Sequence, residues 1–431
     1  MKFNSINLFS YLIFLLPIAL VSGPLIPELI IFFCNIFFLF KVFQEKNYSH
    51  FKNDFFKIFL FFWLILNISA LLSDDILYSL KYSFFYIRFG IFVLTINYLI
   101  ENNKNFIRNF YIIFLLTLSL ILFDSYFQYI FDFNIFGFER YNDYMVSGFF
   151  DDELILGTYL MRFSPLLIAL YVYLHFKKNR KVNSYLFYIA IIFPMIFLSG
   201  QRTPFFLSII FLISTFIILR LDKKKILCLF FSFIIIFGNI LVDNKVYSGK
   251  GTGYKNRMIA DIIYNHRKIT ENQKKEIENY KYMQFIFISP GHNSLWLTAL
   301  KLYKEKKLFG HGPNTFRKKC TTFAKKSEFG CSTHPHSYIF QILAEIGLIG
   351  ALFYLFLYFY IIKKIFNFYL SLSRNSKLNY YPSVNMLLYL SFLINFLPFI
   401  PSGNFFNNHQ NIMIFLPIGF LVYFLRNKKN D

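Results

Sequence analysis

Twelve apolar runs, each close to the length of a membrane-crossing helix, follow one another along this chain. They fall near residues 8–22, 25–42, 55–72, 79–99, 107–130, 153–175, 185–199, 204–220, 226–242, 337–362, 383–401 and 409–425. A helix needs roughly 20 apolar residues to cross the hydrocarbon core of a bilayer. Hydrophobic residues make up 56% of the 431-residue chain, with 63 Phe and 31 Tyr. Soluble cores could not bury that much apolar surface, whereas lipid can cover it. The expected fold is therefore all-α: a polytopic integral membrane protein of about twelve transmembrane helices. Three segments follow: spans one to nine in 1–242, a large loop in 243–335, and spans ten to twelve in 336–431. Ser22-Gly23-Pro24 is the turn between the first two spans.

The formal net charge of +22 would suggest nucleic acid in a soluble protein, but its distribution points to topology, and no nucleic-acid partner is expected. Alternate short loops hold Lys41, Lys46 and Lys52; Lys104 and Arg108; Lys177, Lys178, Arg180 and Lys181; and Arg220 with Lys223, Lys224 and Lys225. The same side continues with Lys363, Lys364, Arg374 and Lys377 and ends at Arg426, Lys428 and Lys429. The opposite short loops carry Asp74, Asp75, Asp132 and Glu139. Positive loops stay in the cytoplasm, so both termini are expected there. Lys2 precedes the first run with no small-residue cleavage site after it, which reads as a retained anchor. No internal repeat and no phosphate-binding loop of the Walker type is seen.

Segment 243–335 is polar, basic and on the outer side, with 18 Lys and Arg against 7 Asp and Glu. Loops this long escape the positive-inside rule. The excess fits either a face touching anionic lipid head groups or a site for an anionic substrate. Asn293 to Lys307 shows helical spacing through Leu295, Ala299 and Leu302 and stops before Gly310-His311-Gly312-Pro313. Cys320 and Cys331 lie in this loop, where a disulfide could persist in an oxidising compartment; Cys34 and Cys228 read as packing residues.

His334-Pro335-His336-Ser337 opens the tenth span. At about 100° per residue, a continuous helix would set His336, Phe340, Leu343, Gly347 and Gly350 in one stripe. The glycines would then admit a second helix beneath the histidine. A neutral imidazole there can take a proton from a hydroxyl. The alternatives are an interfacial histidine without a role and a His-x-His metal pair. That pair has too few ligands alone, although His292, His311 and His409 share its side. No metal and no cofactor is expected. Glu345 lies in the same apolar run, where an ionisable group is costly, and Arg88 and Arg162 are candidate ion-pair partners for it or for Asp124. In Ser199-Gly200-Gln201-Arg202-Thr203-Pro204, Thr203 suits a helix N-cap and Pro204 the first helical turn. A helix N-terminus beside the Arg202 guanidinium favours phosphate.

These residues resemble the O-antigen ligase and polymerase superfamily of bacterial envelope glycosyltransferases. The ligase pattern His-(Asn/Ser/Gln)-x9-Gly-x-x-(Gly/Thr/Tyr) is met by His336, Ser337, Gly347 and Gly350. Leu295-Trp296-x-x-Ala299-Leu300 and Leu308-Phe309-Gly310-His311-Gly312-Pro313-Asn314-x-Phe316 are similar to the family's loop signature, and the Arg202-Thr203 turn to its short arginine loop. Gly148-Phe149-Phe150-Asp151-Asp152-Glu153-Leu154, with Gly157 beyond, is similar to another family segment.

The resemblance implies a GT-C-like layout with one large, partly helical periplasmic loop, in the bacterial inner membrane, with the active site facing the periplasm. It implies metal-independent, inverting transfer of a glycan from undecaprenyl pyrophosphate to a sugar hydroxyl of the lipid A core. His336 maps to the proposed base and Arg202 to a pyrophosphate-binding arginine. Where the family often has a further arginine, four residues before the loop tryptophan, this chain has His292; Arg257 and Arg267 are candidate substitutes, and Arg140 and His311 further donor-side candidates. An O-antigen polymerase, with a growing glycan as acceptor, is the near alternative. A transporter of lipid-linked sugars is the distant one, and would call for matching halves and a charged midplane path.

Overall fold

The computed structural model describes residues 5–140, 145–176, 184–220, 290–324, 330–374 and 380–427. Among them the protein is helical, with no strand and a single isolated bridge between Phe133 and Glu139. The expected ninth span, together with Arg257 and Arg267, lies outside the described residues; of the large loop, 290–324 and 330–335 are described.

The long helices are α1 (Ser5–Ala19), α2 (Leu25–Glu45), α3 (Asp54–Leu71), α4 (Ile76–Phe84), α5 (Ile87–Asn102), α6 (Phe106–Phe131), α7 (Leu156–Phe176), α8 (Ser184–Leu198) and α9 (Arg202–Leu219). The loop contributes α10 (Pro290–Glu305), α11 (Phe316–Lys319) and α12 (Thr321–Ala324), and the chain ends with α13 (Tyr338–Glu345), α14 (Gly347–Arg374), α15 (Tyr380–Asn395) and α16 (Asn408–Asn427). Nine segments among the described residues are long and apolar enough to cross a membrane, α4 and α5 counting as one; the helix in Tyr185–Leu198 is apolar but shorter. The protein is thus an all-helical, multi-pass membrane protein. Its outward faces present large apolar side chains such as Phe32, Phe40, Leu116, Phe123, Leu352 and Phe356, which lipid can cover at no hydrophobic cost.

α16 packs along α5, and α15 lies against α7 and α14. Polar contacts gather at the two ends of the bundle. At one end Tyr98 donates to Glu45 at 2.9 Å and Arg426 pairs with Glu101 at 3.1 Å. At the other, Gln201 accepts the Thr158 N–H at 2.7 Å and Ser73 donates to the His311 carbonyl at 2.6 Å.

Two expected spans are broken. The fourth is interrupted at Phe85 and Tyr86, and the carbonyls released there are taken by side chains: Trp63 donates to Phe84 at 3.1 Å and Arg88 to Phe85 at 3.0 Å. The tenth does not run continuously from 337. It breaks at Ile346, with Gly347 at φ +76°. The loop before α11 fills the gap in the ladder: the N–H groups of His311 and Gly312 donate to Ala344 and Glu345, while Leu348 and Ile349 donate to Lys307 and Leu308. A helix break inside a membrane protein needs such replacement partners. The stripe expected from His336 to Gly350 is therefore not formed. A Cβ on Gly347 would stand 2.4 Å from the Leu308 carbonyl oxygen, so this glycine admits a loop rather than a second helix.

The expected ion pairs are also replaced. Arg88 pairs with Glu28 at 3.3 Å and donates to Asn408 at 2.6 Å. Among the described residues Arg162 meets neutral groups, the Tyr338 hydroxyl at 3.3 Å and the Gln410 carbonyl at 3.5 Å. Asp124 accepts the Ile135 N–H at 2.9 Å. Glu345 lies in α13, before the span that begins at Gly347.

Candidate functional site

The helix read over 293–307 forms as α10, and its apolar face is buried through Leu295, Trp296, Ala299 and Leu302. Trp296 stacks on Phe340 of α13 with ring centres 4.6 Å apart, a contact worth about 1 kcal/mol beyond its area. Four residues back on each side stand His292 and His336, whose rings meet edge-on at 5.4 Å. His334 joins them, 4.1 Å from the His336 ring. His336 itself takes a left-handed backbone, φ +53°, and its carbonyl accepts the Ser402 N–H at 2.9 Å. The 402 segment between α15 and α16 thus braces the turn that presents the imidazole.

All three rings are held neutral. Burial lowers the His336 pKa below its usual 6.5. Burial, then the neighbouring His336 and Arg202, pushes His292 down to about 4. Burial and His336 push His334 to about 3, with Arg317 adding to the effect. The charges of Arg202 and Arg317 thus reach His292 and His334 electrostatically. Arg202 is the first residue of α9, one position earlier than the expected cap at Thr203, and Gln201 precedes the helix.

Arg317 is a residue that sequence reading passed over. It stands in the run Arg317-Lys318-Lys319, which looks like ordinary surface charge. The structure separates the three. Lys318 pairs with Asp75 at 2.6 Å, and Lys319 pairs with Asp74 at 2.8 Å, a carboxylate shared with Lys306. Hydrogen bonds from Lys306 and Lys319 hold Asp74 down to about 2. Arg317 is exposed, and its charge acts on His334. A disulfide joins Cys320 and Cys331, with Cα atoms 5.1 Å apart, and ties α11 to the strand of chain leading into His334.

The other expected donor-side residues have partners elsewhere. The His311 ring faces the Leu302 carbonyl at 3.0 Å and Glu305 at 3.4 Å, closing the end of α10. The Arg140 guanidinium pairs with Asp132 within its own turn. The histidine cluster thus gathers His292, His334, His336, Arg202 and Arg317. No group of three or more His, Cys, Asp or Glu suited to a metal ion occurs among the described residues.

Below the site, Tyr338 packs on Phe396 and Phe405, ring centres 5.6 Å away in both cases. These two phenylalanines cap a crevice of about 330 Å³ that runs between α3, α14, α15 and α16 to Asp54 and Leu425 at the far end. Its walls are almost wholly aromatic and aliphatic.

The arrangement gathers three imidazoles held neutral at one end of a helical bundle, within electrostatic reach of Arg202 and Arg317. Residues 186–355 match the family model described as O-antigen ligase. The match supports a membrane glycosyltransferase of the O-antigen ligase or polymerase type, and it covers Arg202, His292, Arg317 and His336. Comparison of the whole chain with curated proteins finds no match.

Proposed function

We propose that the protein transfers a glycan from undecaprenyl pyrophosphate to a hydroxyl of a lipid A core sugar, at the periplasmic face of the bacterial inner membrane. The observation that carries this reading is the packing of three neutral histidines on one another, within electrostatic reach of Arg202 and Arg317. His336 takes the proton of the acceptor hydroxyl as its oxygen attacks the anomeric carbon. The bond from that carbon to the phosphate oxygen breaks in the same step, which inverts the configuration. The pyrophosphate leaves as an anion beside Arg202 and Arg317, whose charge stabilises it most in the transition state. The activated donor supplies the driving force, and every proton and charge is handled by side chains.

The crevice beneath Tyr338 fits the hydrocarbon part of the donor. It is lined by Phe396 and Phe405, on which Tyr338 packs, and its apolar lining matches a linear isoprenoid chain.

The test is a reconstituted assay with carrier-linked glycan and lipid A core in the presence of a chelator. Wild-type transfer that drops by about 10²-fold or more in His336→Ala supports the general-base reading. Full activity in His336→Ala sinks it. Product only when a second carrier-linked glycan replaces the core moves the assignment to a polymerase.

A further inference from the structure

Glu345 is fully buried, yet its carboxylate is not used by the mechanism above. Its Oε1 accepts the Phe316 N–H at 2.9 Å; its Oε2 accepts the Asn314 N–H at 3.0 Å and the Gln341 amide at 3.1 Å. Gln341 also donates to Asn404 at 2.8 Å, and Asn404 donates to Asn314 at 3.1 Å. Four residues from three segments thus close a ring: Glu345 and Gln341 of α13, Asn314 of the loop before α11 through its main-chain N–H and its side chain, and Asn404 of the connection into α16.

We propose that Glu345 is a positioning residue of the transfer site, fixing the loop that carries Arg317 and the helix that carries His336 in one register. The inference rests on the glycosyl-transfer reading above. Arg317 follows directly on Phe316, whose N–H the carboxylate holds. His336 precedes α13 by two residues, and its carbonyl is held by Ser402, two residues before Asn404. Both Asn314, φ +61°, and His336, φ +53°, sit in the left-handed region. Such backbones persist where surrounding contacts over-determine them, and the ring supplies those contacts.

The ring needs a group that only accepts. Two main-chain N–H groups and an amide converge on Glu345, and an ionised carboxylate can satisfy all three. An amide at 345 would turn its own NH₂ against one of these donors. The charged and titratable groups facing the carboxylate are Arg317 from α11 and Tyr78 from α4. Burial raises the Glu345 pKa to about 7, against the hydrogen bonds that lower it, so the ring loosens as pH falls through that value.

The experiment compares full-length wild type and Glu345→Gln in lipid nanodiscs, measuring kcat and KM from pH 5.5 to 9, with Glu345→Ala as a second variant. The expected result for Glu345→Gln is a kcat lowered by about tenfold or more, with KM within threefold. The acid-side step near pH 7 disappears, leaving only the lower one that belongs to His336. Wild-type kcat and pH profile in Glu345→Gln overturn the inference. Absence of transfer in wild type overturns the functional reading instead, and the rate at which diethyl pyrocarbonate modifies His336 then decides. A rate changed at least threefold by Glu345→Gln supports positioning, and equal rates overturn it.

Discussion

His292 meets His336 edge-on, 5.4 Å between ring centres, because Trp296 and Phe340 stack four residues further along their own segments. The same four-residue step on both sides keeps the two imidazoles together as long as the aromatic pair is intact. Desolvation then lowers the pKa of both rings. A base must be neutral to act, and a pKa below 6.5 keeps His336 neutral across the physiological range. On the proposed reading, the part of the acid-side loss that belongs to His336 therefore falls below 6.5, apart from the Glu345 step near pH 7. Replacing the aromatic anchor by Trp296→Ala opens the contact, and the acid limb of kcat/KM moves up toward 6.5. An unchanged limb in a folded Trp296→Ala protein argues that burial is not what keeps His336 neutral.

Arg317 and Lys318 are neighbours in sequence with opposite assignments. Lys318 is engaged with Asp75, an exposed pair that contributes little. The Arg317 charge acts on His334. Arg317→Ala should raise KM for the donor by about tenfold or more, the loss of one charge-assisted contact at roughly 1.5–3 kcal/mol. Lys318→Ala should leave KM within a factor of two. Donor titrations of the two variants side by side decide it; equal effects would remove the distinction between the two cations.

Most of the helical architecture was legible in the sequence because apolar run length reports directly on a span. The α10 helix and the grouping of His336, His292 and Arg202 were legible too, through periodicity and motif order. The break at Gly347 was not. A glycine in an apolar run reads equally well as a packing notch or as a hinge. The answer depends on Lys307, Leu308, His311 and Gly312, more than thirty residues away, supplying the hydrogen bonds that the helix gives up. Glu345 was misread for the same reason. A carboxylate in an apolar stretch suggests a cationic partner, whereas its partners are main-chain N–H groups, which no sequence pattern displays. Arg317 was hidden in a charge run whose other members are tied down by Asp74 and Asp75.

The crevice between α3, α14, α15 and α16 offers a length test for the donor. Leu357 is part of its lining, well away from the polar groups around His336. Leu357→Trp narrows the crevice without touching charge. If the carrier lies there, KM for a long polyprenyl donor should rise several-fold while a donor with a short chain of two or three isoprene units is little affected. Measured KM values that rise equally for both donors, or for neither, place the carrier elsewhere.

Glu345 also has a signature in stability. A carboxyl whose folded-state pKa is about 7, against an ordinary 4.5, is one that burial disfavours in its charged form. The unfolded chain gives up the proton first. Stability is therefore full below pH 4.5, falls as pH rises toward 7, and stays low above it, by an amount on the order of 3 kcal/mol. Glu345→Gln has no such proton and no such slope. It loses one acceptor in the ring, which costs roughly 1–3 kcal/mol at every pH. Thermal unfolding of the two proteins should then show wild type the more stable at pH 5, with the gap closing or reversing by pH 8. A difference that stays constant from pH 5 to 8 would mean that Glu345 keeps one protonation state throughout. With the gap closing and kcat lost together, the ionised carboxylate is held at a cost to the fold because the site depends on it.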